Sequence, residues 1–230
     1  MLDIRGNLEK VQQAVERACL RAGRKPGDVL VIAVSKTVEI ERITLAVEAG
    51  VKALGENRVQ EAKEKVGVLG RPVPWHLIGH LQTNKVKDAL ALFDVIHSID
   101  RLDLAHECDR RARASGRVVD ALLEVNVAGE ASKGGFASGE VAAALEAVAA
   151  LDHLRIHGLM TIPPVVERAE DARGWFRALR ALAERHGLKE LSMGMSADFE
   201  VAIEEGATMV RVGTAIFGAR PARPAPGAGA

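Results

Sequence analysis

The 230-residue chain balances 31 lysines and arginines against 31 aspartates and glutamates. This neutrality argues against a nucleic-acid protein that relies on a broad basic surface, while leaving room for a local anion pocket. No apolar run reaches transmembrane length and Met1–Lys10 is charged, so a cytoplasmic protein without membrane contact or signal peptide is expected.

In chain order, the first element is an amphipathic helix over Leu8–Ala22, closed by Gly23 as a helix C-terminus favours. Cys19 on that helix and Cys108 further on have no metal spacing around them and read as reduced structural thiols. Next comes Val29–Ser35, whose six apolar residues are mostly β-branched and which leads into Lys36 and Thr37. Such a run reads as a strand buried on both faces, as in a parallel sheet. Helix Ile40–Ala49, strand Ala53–Gly55, helix Val59–Gly67 and strand Trp75–Ile78 follow. Then come strand Val95–Ser98, helix Leu102–Ala114, strand Ala121–Val127 and helix Glu140–Ala150. Strand Arg155–Met160, helix Ala169–His186, strand Glu190–Met193, helix Asp198–Glu205 and strand Met209–Val212 complete the pattern.

Eight strands with helices between them predict an α/β fold, a single-domain (β/α)8 TIM barrel over residues 1–219 with an extra N-terminal helix. A doubly wound sheet is the alternative, but no strand leads into a G-x-G-x-x-G turn. The tail 220–230, rich in Pro, Gly and Ala, is expected to be disordered.

In such a barrel the chemistry sits at the C-terminal ends of the strands. Lys36 closes strand one. A lysine there either marks where the strand meets solvent or, partly desolvated, forms a Schiff base with an aldehyde. Two turns suit a phosphate: Ser196, where a strand breaks into a helix, and Gly213-Thr214 after the last strand. Each alone also fits an ordinary cap or tight turn; together, opposite a lysine, they favour a phosphorylated aldehyde. Arg211 alternates onto the same sheet face as Gly213. There it either donates to a ring nitrogen, keeping a pyridine unprotonated, or pairs with an acid such as Glu56 or Asp198. His76 and His80 are four apart, but a strand reading and Gly79 separate them, so no metal site is expected.

Taken together the motifs AVSKT (33–37), GENRVQE (55–61), WHLIGHLQTNK (75–85), SID (98–100), EVN with a following SKGG (124–135), GLMTI (158–162), SMGMSADFEVAI (192–203) and VRVGTAIFG (210–218) resemble the pyridoxal-phosphate homeostasis protein family. These are single-domain relatives of the alanine racemase barrel. The resemblance implies that Lys36 carries the vitamin B6 cofactor pyridoxal 5′-phosphate (PLP) as an internal aldimine. It implies phosphate contacts from Ser196, Gly213 and Thr214 and a pyridine contact from Arg211. Asn57, His80 and Met160 would lie near the cofactor, and Lys133 is a candidate transfer-site lysine. Alanine racemase needs a tyrosine base from a second domain, and this sequence contains neither that domain nor any tyrosine. The expected function is therefore PLP buffering and delivery without turnover, with PLP-dependent apoenzymes as candidate recipients and a monomer favoured. A slow amino-acid racemase using His80 or Lys133 as second base is the alternative.

Overall fold

The computed structural model describes residues 3–218. The tail expected to be disordered, 220–230, lies outside the described residues. Helix α1 (Ile4–Arg21) begins before the predicted Leu8 because Asp3 caps it, its carboxylate accepting from the Gly6 N–H at 2.9 Å. Gly23 follows its end with φ +66°, the left-handed geometry that glycine adopts without a side-chain penalty.

The strands are β1 (Leu30–Val34), β2 (Ala53–Glu56), β3 (Trp75–Leu77), β4 (Val95–Ile99), β5 (Val119–Asn126), β6 (Phe136–Ala137), β7 (Leu154–Met160), β8 (Glu190–Met195) and β9 (Met209–Val212). All except the short β6 form the barrel. Neighbours pair in parallel from β1 to β5, then through β7, β8 and β9, and β9 pairs back onto β1. Closure removes both sheet edges and confirms the (β/α)8 expectation. Around it lie α2 (Ile40–Glu48), α3 (Val59–Leu69), α4 (Val86–Leu92), α5 (Leu102–Ala114), α6 (Val141–Val148), α7 (Arg173–Arg185), α8 (Phe199–Glu204) and α9 (Thr214–Phe217). The sequence reading missed the seven-residue α4.

Side chains alternate along each strand, so one set faces the helices and the other the barrel interior. The outer set, including Ala33, Leu54, Leu77 and Val212, merges with the helices into the main core. The inner set forms a second cluster of Ile32, Ala53, Leu122, Met160 and Met209. That plug closes the barrel below its mouth, so polar residues one layer higher are held over a rigid floor.

Candidate functional site

The strand ends open on a cavity of about 270 Å³. Of the predicted site residues it is lined by Lys36, Asn57, Ser196, Arg211, Gly213 and Thr214; Val34, Ile78, Ile162 and Met195 supply apolar wall. Lys36 continues the inward alternation of β1 and is half-buried, in a turn directly after the strand. Asn57 leaves β2 in the same way, and its Oδ1 is buried without a hydrogen-bond partner among the described residues. Such an oxygen is costly unless a ligand satisfies it.

Two turns meet beside them, one after β8 and one after β9, the strand that pairs with β1. The Ser196 hydroxyl accepts from the backbone N–H of Gly213 at 3.2 Å and of Ala215 at 3.5 Å. The N-cap position of α8 belongs to Asp198, not Ser196; the Asp198 carboxylate accepts from the Met195 N–H at 2.6 Å. Ser196 is thus a cavity hydroxyl next to convergent backbone donors, an arrangement suited to an oxyanion.

Arg211 is buried and fully engaged on its inner side. Nη1 donates to Ser192 Oγ at 2.7 Å and Nη2 to the Thr161 carbonyl at 2.8 Å. Burial lowers its pKa to about 10, against the upward pull of Asp198 and Glu124, so it remains a cation at neutral pH. It does not pair with Glu56, which faces away from the barrel interior and bonds Ser35 and Lys65.

Beneath Arg211 runs a polar chain that sequence reasoning missed. His97 Nδ1 lies 2.9 Å from Ser192 Oγ, and His97 Nε2 lies 2.8 Å from His76 Nδ1. Burial pushes His76 down to about 4 and His97 well below its ordinary value, so both rings are neutral and each joins one donor to one acceptor. The signal was available: the parity argument that turns Arg211 inward also turns His76, His97 and Ser192 inward. Glu124 likewise points inward on β5. Burial and the nearby Asp100 raise its pKa to about 7.

The remaining predicted residues lie elsewhere. His80 lines an adjoining cavity of about 440 Å³ with Asn57, Arg58 and Lys85, its Nδ1 2.8 Å from Asp100 Oδ2. Met160 belongs to the interior plug beneath the cavity. Lys133 is ion-paired with Glu130 and donates to the Ile162 carbonyl at 3.3 Å, which brings it to the cavity rim. Among the described residues no group of three or more His, Cys, Asp or Glu side chains could hold a metal. Cys19 and Cys108 are buried free thiols whose pKa values burial raises. No helix of the described residues is long and apolar enough to cross a membrane.

An amine, convergent N–H donors, a permanent cation and apolar walls share one small cavity. That set can hold a flat, phosphorylated carbonyl compound.

The chain matches the family described as alanine racemase, N-terminal domain, over residues 5–221. It is 46% identical over 220 residues to the pyridoxal phosphate homeostasis protein of Aquifex aeolicus, covering 93% of this chain and 96% of that protein. It is 41% identical over 231 residues to the protein of the same name from Escherichia coli, covering 96% and 98%. Among solved structures, PipY of Synechococcus elongatus with PLP bound superposes with a TM-score of 0.81 at 36% identity, over 94% of this chain and all of that one. A Clostridium difficile alanine racemase shares the fold, with a TM-score of 0.72 at 16% identity, and this chain spans 56% of it.

Proposed function

This chain belongs to the pyridoxal phosphate homeostasis protein family, within the wider alanine racemase N-terminal-domain family, and on that premise we propose that it binds PLP and serves in buffering and delivering it without catalytic turnover. The observation that carries the reading is that Lys36, Ser196, Gly213, Thr214 and Arg211 line one cavity. When bound, PLP supplies an aldehyde that condenses reversibly with an amine, with loss of water.

The chain's own residues then have separate tasks. Lys36 provides the amine, and the plug below it limits how far the ligand descends. The Ser196 hydroxyl and the Gly213-Thr214 turn beside it hold the phosphate. Arg211, already oriented by Ser192 and Thr161, donates to the pyridine nitrogen. A donor that keeps its proton at neutral pH leaves the ring unprotonated and weak as an electron sink. This favours storage over chemistry at a substrate α-carbon. Asn57 Oδ1 gains a partner on the ligand side. Lys133, at the rim, and His80, in the adjoining cavity, would act on entry and exit and not on the bound ligand.

The test is an absorption spectrum with PLP, followed by borohydride reduction and peptide mass mapping. A visible band that bleaches on reduction, with the adduct on Lys36 and none in a folded Lys36→Ala variant, is the expected result. An adduct scattered over surface lysines overturns it. Incorporation of solvent deuterium into alanine at enzyme-like rates would instead identify a racemase.

A further inference from the structure

The turn that carries Lys36 is gripped from outside the barrel. Glu56 follows Gly55 on β2 and so points away from the interior, toward α3. Lys65 on α3 is buried, and its ammonium donates to Glu56 Oε1 at 2.7 Å, Glu61 Oε1 at 2.7 Å and the Ser35 carbonyl at 2.6 Å. Three donors thus meet three acceptors, which exhausts the ammonium. Glu56 Oε1 also accepts from the Ser35 hydroxyl at 2.7 Å, and Glu61 Oε1 from the Thr37 N–H at 2.5 Å. Both chain neighbours of Lys36 are therefore tied to one ionic triad, of which Glu56 and Lys65 are buried.

Thr37 shows why such a grip is needed. It has φ +60° and is the one non-glycine residue with positive φ among the described residues. A β-branched side chain resists that conformation, which persists only where the surroundings impose it. A buried ion pair such as Glu56–Lys65 is also a poor stabilising device, because desolvation offsets most of its attraction. Its geometry, bonded to the backbone on both sides of one lysine, suits a positional role better.

We propose that Glu56, Glu61 and Lys65 are positioning residues for Lys36: they lock the Ser35–Thr37 turn so that the lysine amine meets an incoming aldehyde at the cavity floor. The inference rests on Lys36 being the aldehyde-binding lysine. In the step concerned, the amine nitrogen adds to the aldehyde carbon, a C=N bond forms, and the aldehyde oxygen leaves as water with both amine protons. None of the triad side chains lines the cavity. Loosening the turn therefore lowers the effective concentration of the amine at the aldehyde without altering the phosphate turns.

The experiment compares wild type, Glu61→Ala, Glu61→Gln and a Glu56→Gln/Lys65→Met double variant, which avoids leaving a buried carboxylate unpaired. Two quantities are read: the rate at which the visible band forms on mixing with PLP, and the affinity for pyridoxine 5′-phosphate. The latter fills the same cavity but has an alcohol in place of the aldehyde. Glu61→Ala and the double variant should capture PLP at least ~10-fold more slowly, as expected for lost pre-organisation, with pyridoxine 5′-phosphate affinity within about twofold of wild type. Glu61→Gln keeps an acceptor for the Thr37 N–H and should recover most of the rate. Glu61 is partly exposed on α3, so its variants report even if the double variant does not fold. Unchanged capture in Glu61→Ala, or equal losses in capture and pyridoxine 5′-phosphate binding, overturns the proposal. A wild type with no adduct on Lys36 overturns the functional reading itself, and with it the premise of the triad's role.

Discussion

At the level of single residues, the site depends on polar groups that burial has moved from their ordinary behaviour. Ser192 accepts from Arg211 and also contacts His97, so Ser192→Ala strands polar atoms on two buried side chains. Loss of about 1–3 kcal/mol of stability is expected, read from the urea midpoint. Glu124 offers a pH test. Its carboxyl ionises near 4.5 when unfolded and near 7 when folded. Between those values the native state holds a proton that the unfolded chain has released, so this group's contribution to stability falls as pH rises, then levels off above 7. Glu124→Gln removes that fall. The variant should gain on wild type between pH 5 and 7.5 in paired denaturation curves; a constant offset would show that Glu124 is not perturbed in this way.

At the level of elements, close packing between neighbouring strands leaves no room at particular backbone positions. A Cβ built on Gly158 of β7 would lie 1.9 Å from the Glu190 carbonyl oxygen of β8. Gly158→Ala must therefore push β7 and β8 away from each other, and a loss above ~3 kcal/mol is expected in chemical denaturation. Gly67, on the exposed face of α3, meets nothing within 4 Å. There alanine only restricts the unfolded chain and favours the helix, so Gly67→Ala should stabilise by roughly 0.5–1 kcal/mol. Most elements were legible in the sequence because each carries its own period. Strand Met209–Val212 spans the predicted residues, while the seven-residue α4 was missed. Parity along β9 also placed Arg211 inward correctly. The same parity would have found His76, His97 and Ser192 had it been applied to β3, β4 and β8.

For the whole molecule, barrel closure brings its buried histidines into one chain and couples them to global stability. His76 titrates near 6.5 unfolded and near 4 folded, and burial also holds His97 well below its ordinary value. Below pH 6.5 the unfolded chain takes up protons that the native state refuses, so stability present at neutral pH is lost as pH falls toward 4. His76→Gln should flatten this acid limb by about one proton in the slope of stability against pH, measured as melting temperature across pH 4–7. An unaltered slope would mean that His76 is charged in the native state. The sequence by itself determined the alternation of strands and helices, and hence the barrel, because hydrophobic periodicity is a local property. It also determined which residues stand at the strand ends, and so Lys36, Ser196, Arg211, Gly213 and Thr214 as candidates. Only the tertiary structure decided their partners. Arg211 could have met Glu56, Asp198 or Ser192, and Lys65 could have been a solvated helix cation. Closing the sheet carried Ser192 and His97 beneath Arg211 and packed Lys65 behind the Lys36 turn. Periodicity tells which way a side chain faces, whereas the group it meets there depends on strands far away in sequence and on the register in which they close.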